Sequence, residues 1–132
     1  MLFRSNPISM TYGLATLEVI DAEGLQENAR VVGSHLKNRL LELQTRHPLI
    51  GDVRGKGLML GVELVRDRQT KEPANTELVE LMELAKQRGL LIGKGGLYGN
   101  VVRIKPPMCF TRDDANYLVE CLDESLSLLE TK

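Results

Sequence analysis

The chain has 132 residues, 42% of them hydrophobic, with 17 basic and 18 acidic side chains and a formal net charge of −1. That length and apolar share allow one domain with a real core and argue against disorder. The balanced charge gives no reason to expect nucleic acid or an anionic membrane as the main partner, and no apolar run approaches the roughly 20 residues needed to span a bilayer.

Residues 1–5 encode neither a full signal peptide nor an arginine-rich amphipathic presequence. Asn6-Pro7 predicts a helix start, with Asn as N-cap and Pro at the first helical position, and the helix runs to about residue 22. Its apolar residues Ile8, Tyr12, Ala15 and Val19, flanked by Met10, Leu14 and Leu17, cover more than one stripe. A helix of that kind has neighbours on two sides, so the surplus points to a partner subunit or to a domain preceding residue 1. Glu23-Gly24 breaks it, and a second helix over 25–46 puts Leu36, Leu40 and Leu43 on one face before Pro48 ends it.

Residues 50–57 hold three glycines with Asp52, Arg54 and Lys56, a pattern for a turn or a short edge strand. Gly55-Lys56-Gly57 lacks the GxxxxGK[ST] spacing and precedes a strand, so it reads as a turn rather than a phosphate cradle. Residues 58–65 are β-compatible, with Gly61 marking the close approach of another backbone, and 67–73 read as an exposed loop. Asn75 or Thr76 is expected to cap a helix over 77–88, with Leu78, Leu81, Met82 and Ala85 as its stripe and Gly89 beyond its end. A short strand over 90–92, a glycine loop over 93–99 and a strand over 100–104 follow. Thr111 and Asp114 form a capping-box-like start to the last helix, which turns Leu118, Cys121, Leu122, Ser125 and Leu129 inward.

The predicted fold class is α+β: a small three- to four-stranded sheet with helices on one face, preceded by a long connecting helix. Cys109 and Cys121 lie in different elements, without a second Cys or a His at metal-ligand spacing, and are read as reduced thiols in a non-secreted protein. His35 and His47 fall on a helix and at its end, outside any HxxxH or HExxH arrangement, and are read as surface residues; no metal site is expected.

Arg103 stands apart. It sits inside the apolar run 101–104, one residue short of a strand end that Pro106 and Pro107 close because neither can donate to a ladder. A guanidinium stays charged and presents a planar fork of donors, so it needs a carboxylate, a phosphate or solvent. From a strand rim beside a glycine loop it can face a cleft and bind an acidic ligand; as a structural ion-pair partner or a solvated edge residue it would look the same in sequence.

Several stretches together resemble one family. Asn6-Pro7 with a helix ending in Leu17-Glu18-Val19-Ile20, then Leu25-Gln26-Glu27-Asn28-Ala29, then Gly51-Asp52-Val53-Arg54-Gly55-Lys56-Gly57-Leu58-Met59-Leu60-Gly61-Val62-Glu63-Leu64, then Val102-Arg103-Ile104-Lys105-Pro106-Pro107-Met108-Cys109-Phe110-Thr111, occur in the order and spacing of the C-terminal part of class III pyridoxal-phosphate-dependent aminotransferases of fold type I. The tail, through Lys94-Gly95-Gly96 and the run from Pro106 to Thr111, is most similar to the alanine–glyoxylate aminotransferase 2 group of plant type. The resemblance implies a connecting helix at 1–23 that ends a large domain, a small domain at 24–132, and Arg103 as the substrate-binding clamp on the α-carboxylate. For the whole enzyme it implies pyridoxal 5′-phosphate as cofactor, amino acid and 2-oxo acid substrates, a homodimer and a mitochondrial location. Where the family has a Thr-x-Gly-Gly stretch holding the cofactor phosphate of the neighbouring subunit, this chain has Leu2-Phe3-Arg4-Ser5. The Schiff-base lysine, the aspartate at the pyridine nitrogen and the phosphate loop are expected before residue 1, so no catalytic or cofactor-binding residue is assigned here and this chain alone is expected to be inactive. An ornithine or 4-aminobutyrate type of ω-aminotransferase, and a non-catalytic module at the dimer interface, are the alternatives.

Overall fold

A computed structural model describes residues 6–131; Leu2-Phe3-Arg4-Ser5, compared above with the family's Thr-x-Gly-Gly stretch, lies outside the described residues. Capping chemistry opens the first helix, α1 (Pro7–Ala22), as expected. Asn6 is extended and its Oδ1 accepts from the Ile8 amide at 3.0 Å, while Pro7 takes the first helical position, where a missing N–H costs nothing. Gly24, in the left-handed region, turns the chain into α2 (Leu25–Arg46), which buries Val32, Gly33, Leu36, Leu40 and Leu43 at helical spacing.

Strands β1 (Ile50–Lys56), β2 (Met59–Asp67), β4 (Gly93–Gly95) and β5 (Val101–Ile104) form an antiparallel sheet in the order β1-β2-β5-β4, with the two-residue β3 (Glu72–Pro73) added to the end of β2. Helices α3 (Asn75–Gln87) and α4 (Arg112–Glu130) join α2 on one face of it. Strand alternation makes that face the core: Ile50, Val53, Leu60, Val62, Leu64, Val102 and Ile104 meet Leu36, Leu40, Leu78, Leu81, Leu118 and Leu122. The α+β class, the four main strands and the one-sided helices agree with the sequence reading. On α4, Thr111 Oγ1 accepts from the Asp114 amide while Asp114 Oδ2 accepts from the Thr111 amide, the expected reciprocal cap.

The hairpin joining β1 to β2 rests directly on α2. A Cβ at Gly33 would lie 2.2 Å from the carbonyl oxygen of Gly57, so helix and turn touch backbone to backbone. Gly55 and Lys56 are the last residues of β1, paired with Leu60 and Met59, and only Gly57 enters the turn, so the expected turn is shorter than Gly55-Lys56-Gly57.

Several local expectations are corrected. Residues 90–92 are not a strand; the glycine stretch itself supplies β4, because Gly93 and Gly95 can lie close beside the side chain of Arg103 on β5. Residues 67–73 are not merely an exposed loop: Arg68 donates to the carbonyls of Ile50, Gln44 and His47, satisfying the last turn of α2, and β3 follows. Helix α3 begins at Asn75 without a side-chain cap, because buried Ala74 sets its start through backbone bonds, its amide to Leu64 and its carbonyl from Leu78. His47 is buried, not a surface residue; its ring nitrogens meet Asp123 at 2.7 Å and Glu130 at 2.8 Å, tying the end of α2 to α4. His35 is half-buried beside Asn116. Gly61 makes room for the Val101 side chain rather than for another backbone. Cys109 is exposed and Cys121 buried, and both are free.

Candidate functional site

On β5 the alternation that turns Val102 and Ile104 into the core turns Arg103 outward, to the face away from α2, α3 and α4. The sheet register then fixes its neighbours. Arg103 pairs with Gly61 on β2 and with Gly93 on β4, and Gly61 pairs in turn with Arg54 on β1. A row Arg54–Gly61–Arg103–Gly93 therefore crosses the outer face. The Arg103 side chain lies toward β4: a Cβ at Gly93 would be 3.2 Å from its Nε and 3.5 Å from Nη2, and one at Gly95 would be 3.7 Å from its Cβ. Glycine at 93 is what lets the guanidinium lie there.

Charge pairing separates the three strand arginines. Arg54 is held by Asp52 (2.7 Å) and Glu63 (2.5 Å), and Arg66 by Glu72 (2.8 Å) and Glu77 (2.7 Å). Donating hydrogen bonds to the Asp52 and Glu63 carboxylates raises Arg54 above its usual range, and donating to Glu77 and Glu72 does the same for Arg66. Among the described residues, Arg103 has no hydrogen-bond or ion-pair partner and is exposed. It borders two depressions, one of about 440 Å³ lined in part by Leu90, Ile92, Gly93 and Pro106, the other of about 240 Å³ over Gly61 toward Arg54. A free, planar fork of donors at such a rim can take a carboxylate through two parallel N–H···O bonds.

The sequence reading singled out Arg103 and missed the rest of this row. Gly61 was legible as a space-maker but not as its neighbour, Gly93 was assigned to a loop, and the Asp52–Arg54–Glu63 pairing carried no motif. The signal that singled out Arg103 was a charge inside the apolar run 101–104 just ahead of Pro106 and Pro107.

The model of the aminotransferase class-III family matches residues 2–126. The chain belongs to the class-III aminotransferases. It is 58% identical over 125 residues to a protein of Arabidopsis thaliana named alanine–glyoxylate aminotransferase 2 homolog 2, mitochondrial, covering 95% of this chain and 26% of that protein. An aminotransferase of Bacillus anthracis superposes with a TM-score of 0.87 at 34% identity, over 96% of this chain and 30% of that one. An amine transaminase from an uncultivated Pseudomonas species, solved in its pyridoxal-phosphate-bound form, gives a TM-score of 0.79 at 34% identity over 87% of this chain and 26% of that one. The chain thus spans about a quarter of the length of the Arabidopsis relative.

Pyridoxal 5′-phosphate is the cofactor of full-length class-III aminotransferases. Its ring needs a lysine amine held neutral by its surroundings, a carboxylate at the pyridine nitrogen and a cradle of donors for the phosphate. The lysines among the described residues do not fit. Lys56, Lys71, Lys86, Lys94 and Lys105 are exposed, and the half-buried Lys37 donates to the Gly55 carbonyl at 3.3 Å. What the described residues offer instead is an unpaired guanidinium, Arg103, on an open face of the sheet.

Proposed function

We propose that this chain supplies the substrate-carboxylate clamp of a transaminase of the alanine–glyoxylate type, and that Arg103 is the clamp. The observation that carries the reading is the contrast among the strand arginines: Arg54 and Arg66 each hold two carboxylates, while Arg103, settled against Gly93 on an open face, holds none among the described residues. Lodging an unpaired guanidinium against a sheet makes sense where a ligand brings the missing acid. Alanine and glyoxylate both carry a carboxylate next to the reacting carbon, and similarity to the Arabidopsis relative supports that pair over other donors.

The same reading takes residues 1–23 as the helix connecting to a large domain and 24–132 as the small domain. It puts the Schiff-base lysine, the pyridine-nitrogen aspartate and the phosphate loop in the part of the enzyme that this chain does not span. The whole enzyme is read as a mitochondrial homodimer acting on amino acids and 2-oxo acids. In support, α1 buries none of its residues here although Ile8, Met10, Tyr12, Leu14 and Leu17 are all more than half exposed, an apolar surface that calls for a cover. Sedimentation of the full-length protein as a monomer would remove the dimer from the proposal.

Arg103→Lys in the full-length enzyme keeps the charge and loses the fork. Charge-assisted hydrogen bonds contribute about 1.5–3 kcal/mol each, so KM for every carboxylate substrate is expected to rise by about 10- to 100-fold, with no change for an amine donor that lacks a carboxylate. Steady-state kinetics with both donor types checks this, and unchanged KM values would return Arg103 to a structural role.

A further inference from the structure

We propose that Arg54 is a positioning residue: by holding Glu63 it keeps that carboxylate off Arg103 and leaves Arg103 open to substrate. The inference rests on the carboxylate-clamp reading of Arg103 and deepens it, assigning a task to an ion pair that touches no ligand.

The register supplies the argument. Glu63 faces Val101 across the β2–β5 pairing while Gly61 faces Arg103, so Glu63 and Arg103 are diagonal neighbours on one face of the sheet. Such neighbours stand about 7–8 Å apart, within reach of long side chains, and opposite charges there attract. Left to itself, Glu63 has Arg103 as a natural partner. It turns the other way instead, to Arg54 Nη1, which also binds Asp52 Oδ2 at 2.7 Å.

Two features hold Glu63 on that side. Asp52 and Glu63 are directly opposed across β1–β2, and a cation joining them relieves the repulsion between like charges. Arg54 is that cation. Gly61, lying between Arg54 and Arg103 in the row, contributes no side chain to screen one arginine from the other. The two guanidiniums compete for Glu63, and Asp52 fixes Arg54 beside it. Arg103, leaning over Gly93 and Gly95 on the far side, is left without an acid.

Arg54→Gln in the full-length enzyme tests this. Its side chain is 51% exposed, so the substitution is compatible with the fold. Glu63 is then free to occupy Arg103, and if it does so nine-tenths of the time the apparent KM for carboxylate substrates rises about tenfold, with kcat held within about twofold. The KM of an amine donor without a carboxylate stays where it was. The double variant Arg54→Gln/Glu63→Gln is expected to bring the carboxylate KM back, since no intruding acid remains. An unchanged KM in Arg54→Gln, or a double variant as impaired as the single, overturns the inference. Should Arg54→Gln not fold, Arg54→Lys, which keeps a cation but loses the fork, is expected to give a smaller rise, and no rise there overturns the inference equally. Arg103→Lys measured alongside separates the two levels. If it leaves carboxylate KM unchanged, the clamp reading itself falls; if it raises KM while Arg54→Gln does not, only the task given to Arg54 falls.

Discussion

At the scale of single residues, the outer face of the sheet is governed by what is missing from two positions. Gly93 lies opposite Arg103 with room for a hydrogen and little more, since a Cβ there would come within 3.2 Å of Nε and 3.4 Å of the Arg103 carbonyl oxygen. Gly93→Ala is therefore expected to lift the guanidinium by a few tenths of an ångström without disturbing the core. On the clamp reading that displacement raises carboxylate KM by about three- to tenfold, since misplacements of about 1 Å cost up to about 100-fold. Kinetics on the full-length variant, with a carboxylate-free amine as control, checks it. Arg103 itself was legible in the sequence because a charge inside Val101-Val102-Arg103-Ile104 before two prolines has few destinations. Its glycine neighbours were not, because cross-strand pairing joins residues that are 10 and 42 positions away, and no local pattern encodes register.

At the scale of elements, boundaries set by side-chain chemistry were readable and those set by packing were not. Asn6-Pro7 and Thr111 with Asp114 formed the caps their residue types predict, whereas α3 starts where buried Ala74 locks to Leu64 across the fold. The union of α2 with α4 was equally hidden. His47 looked like a loose end of a helix, yet it is buried between Asp123 and Glu130, more than 75 positions away. Burial raises the pKa of Asp123, but hydrogen bonds from His47 and Arg46 outweigh it and leave the carboxyl below its usual range. A carboxylate with a depressed folded pKa contributes stability above its unfolded value of about 3.9 and loses it as pH falls through the folded value. The unfolding midpoint should therefore drop as pH goes below about 4, with part of the drop absent in Asp123→Asn. Thermal unfolding followed by circular dichroism across that range is the measurement, and identical pH profiles for the two proteins would contradict it.

At the scale of the whole molecule, the helices cover one face of the sheet and leave bare the face that carries Arg103, while α1 stands out with no buried residue. The one-sided layer was legible because α2, α3 and α4 each carry an apolar stripe to lay against a small sheet. What lies against the bare side was not, since an alternating strand does not encode which surface meets its outer face. Pyridoxal phosphate added to this chain alone is accordingly expected to give the absorption spectrum of the free cofactor. A new band that one lysine substitution abolishes would show that these 132 residues hold the cofactor after all.

The contact between Gly33 and Gly57 ties the rear of the sheet to its front. The β1–β2 hairpin, which carries Asp52, Arg54 and Glu63, leans on α2 with no side chain as cushion, whereas β5 is braced from its other edge by β4. One methyl group at position 33 would act as a wedge, prising those three residues away from Arg103 as a block. Discrimination among acids would then be adjustable from behind the layer, by a change that meets no ligand.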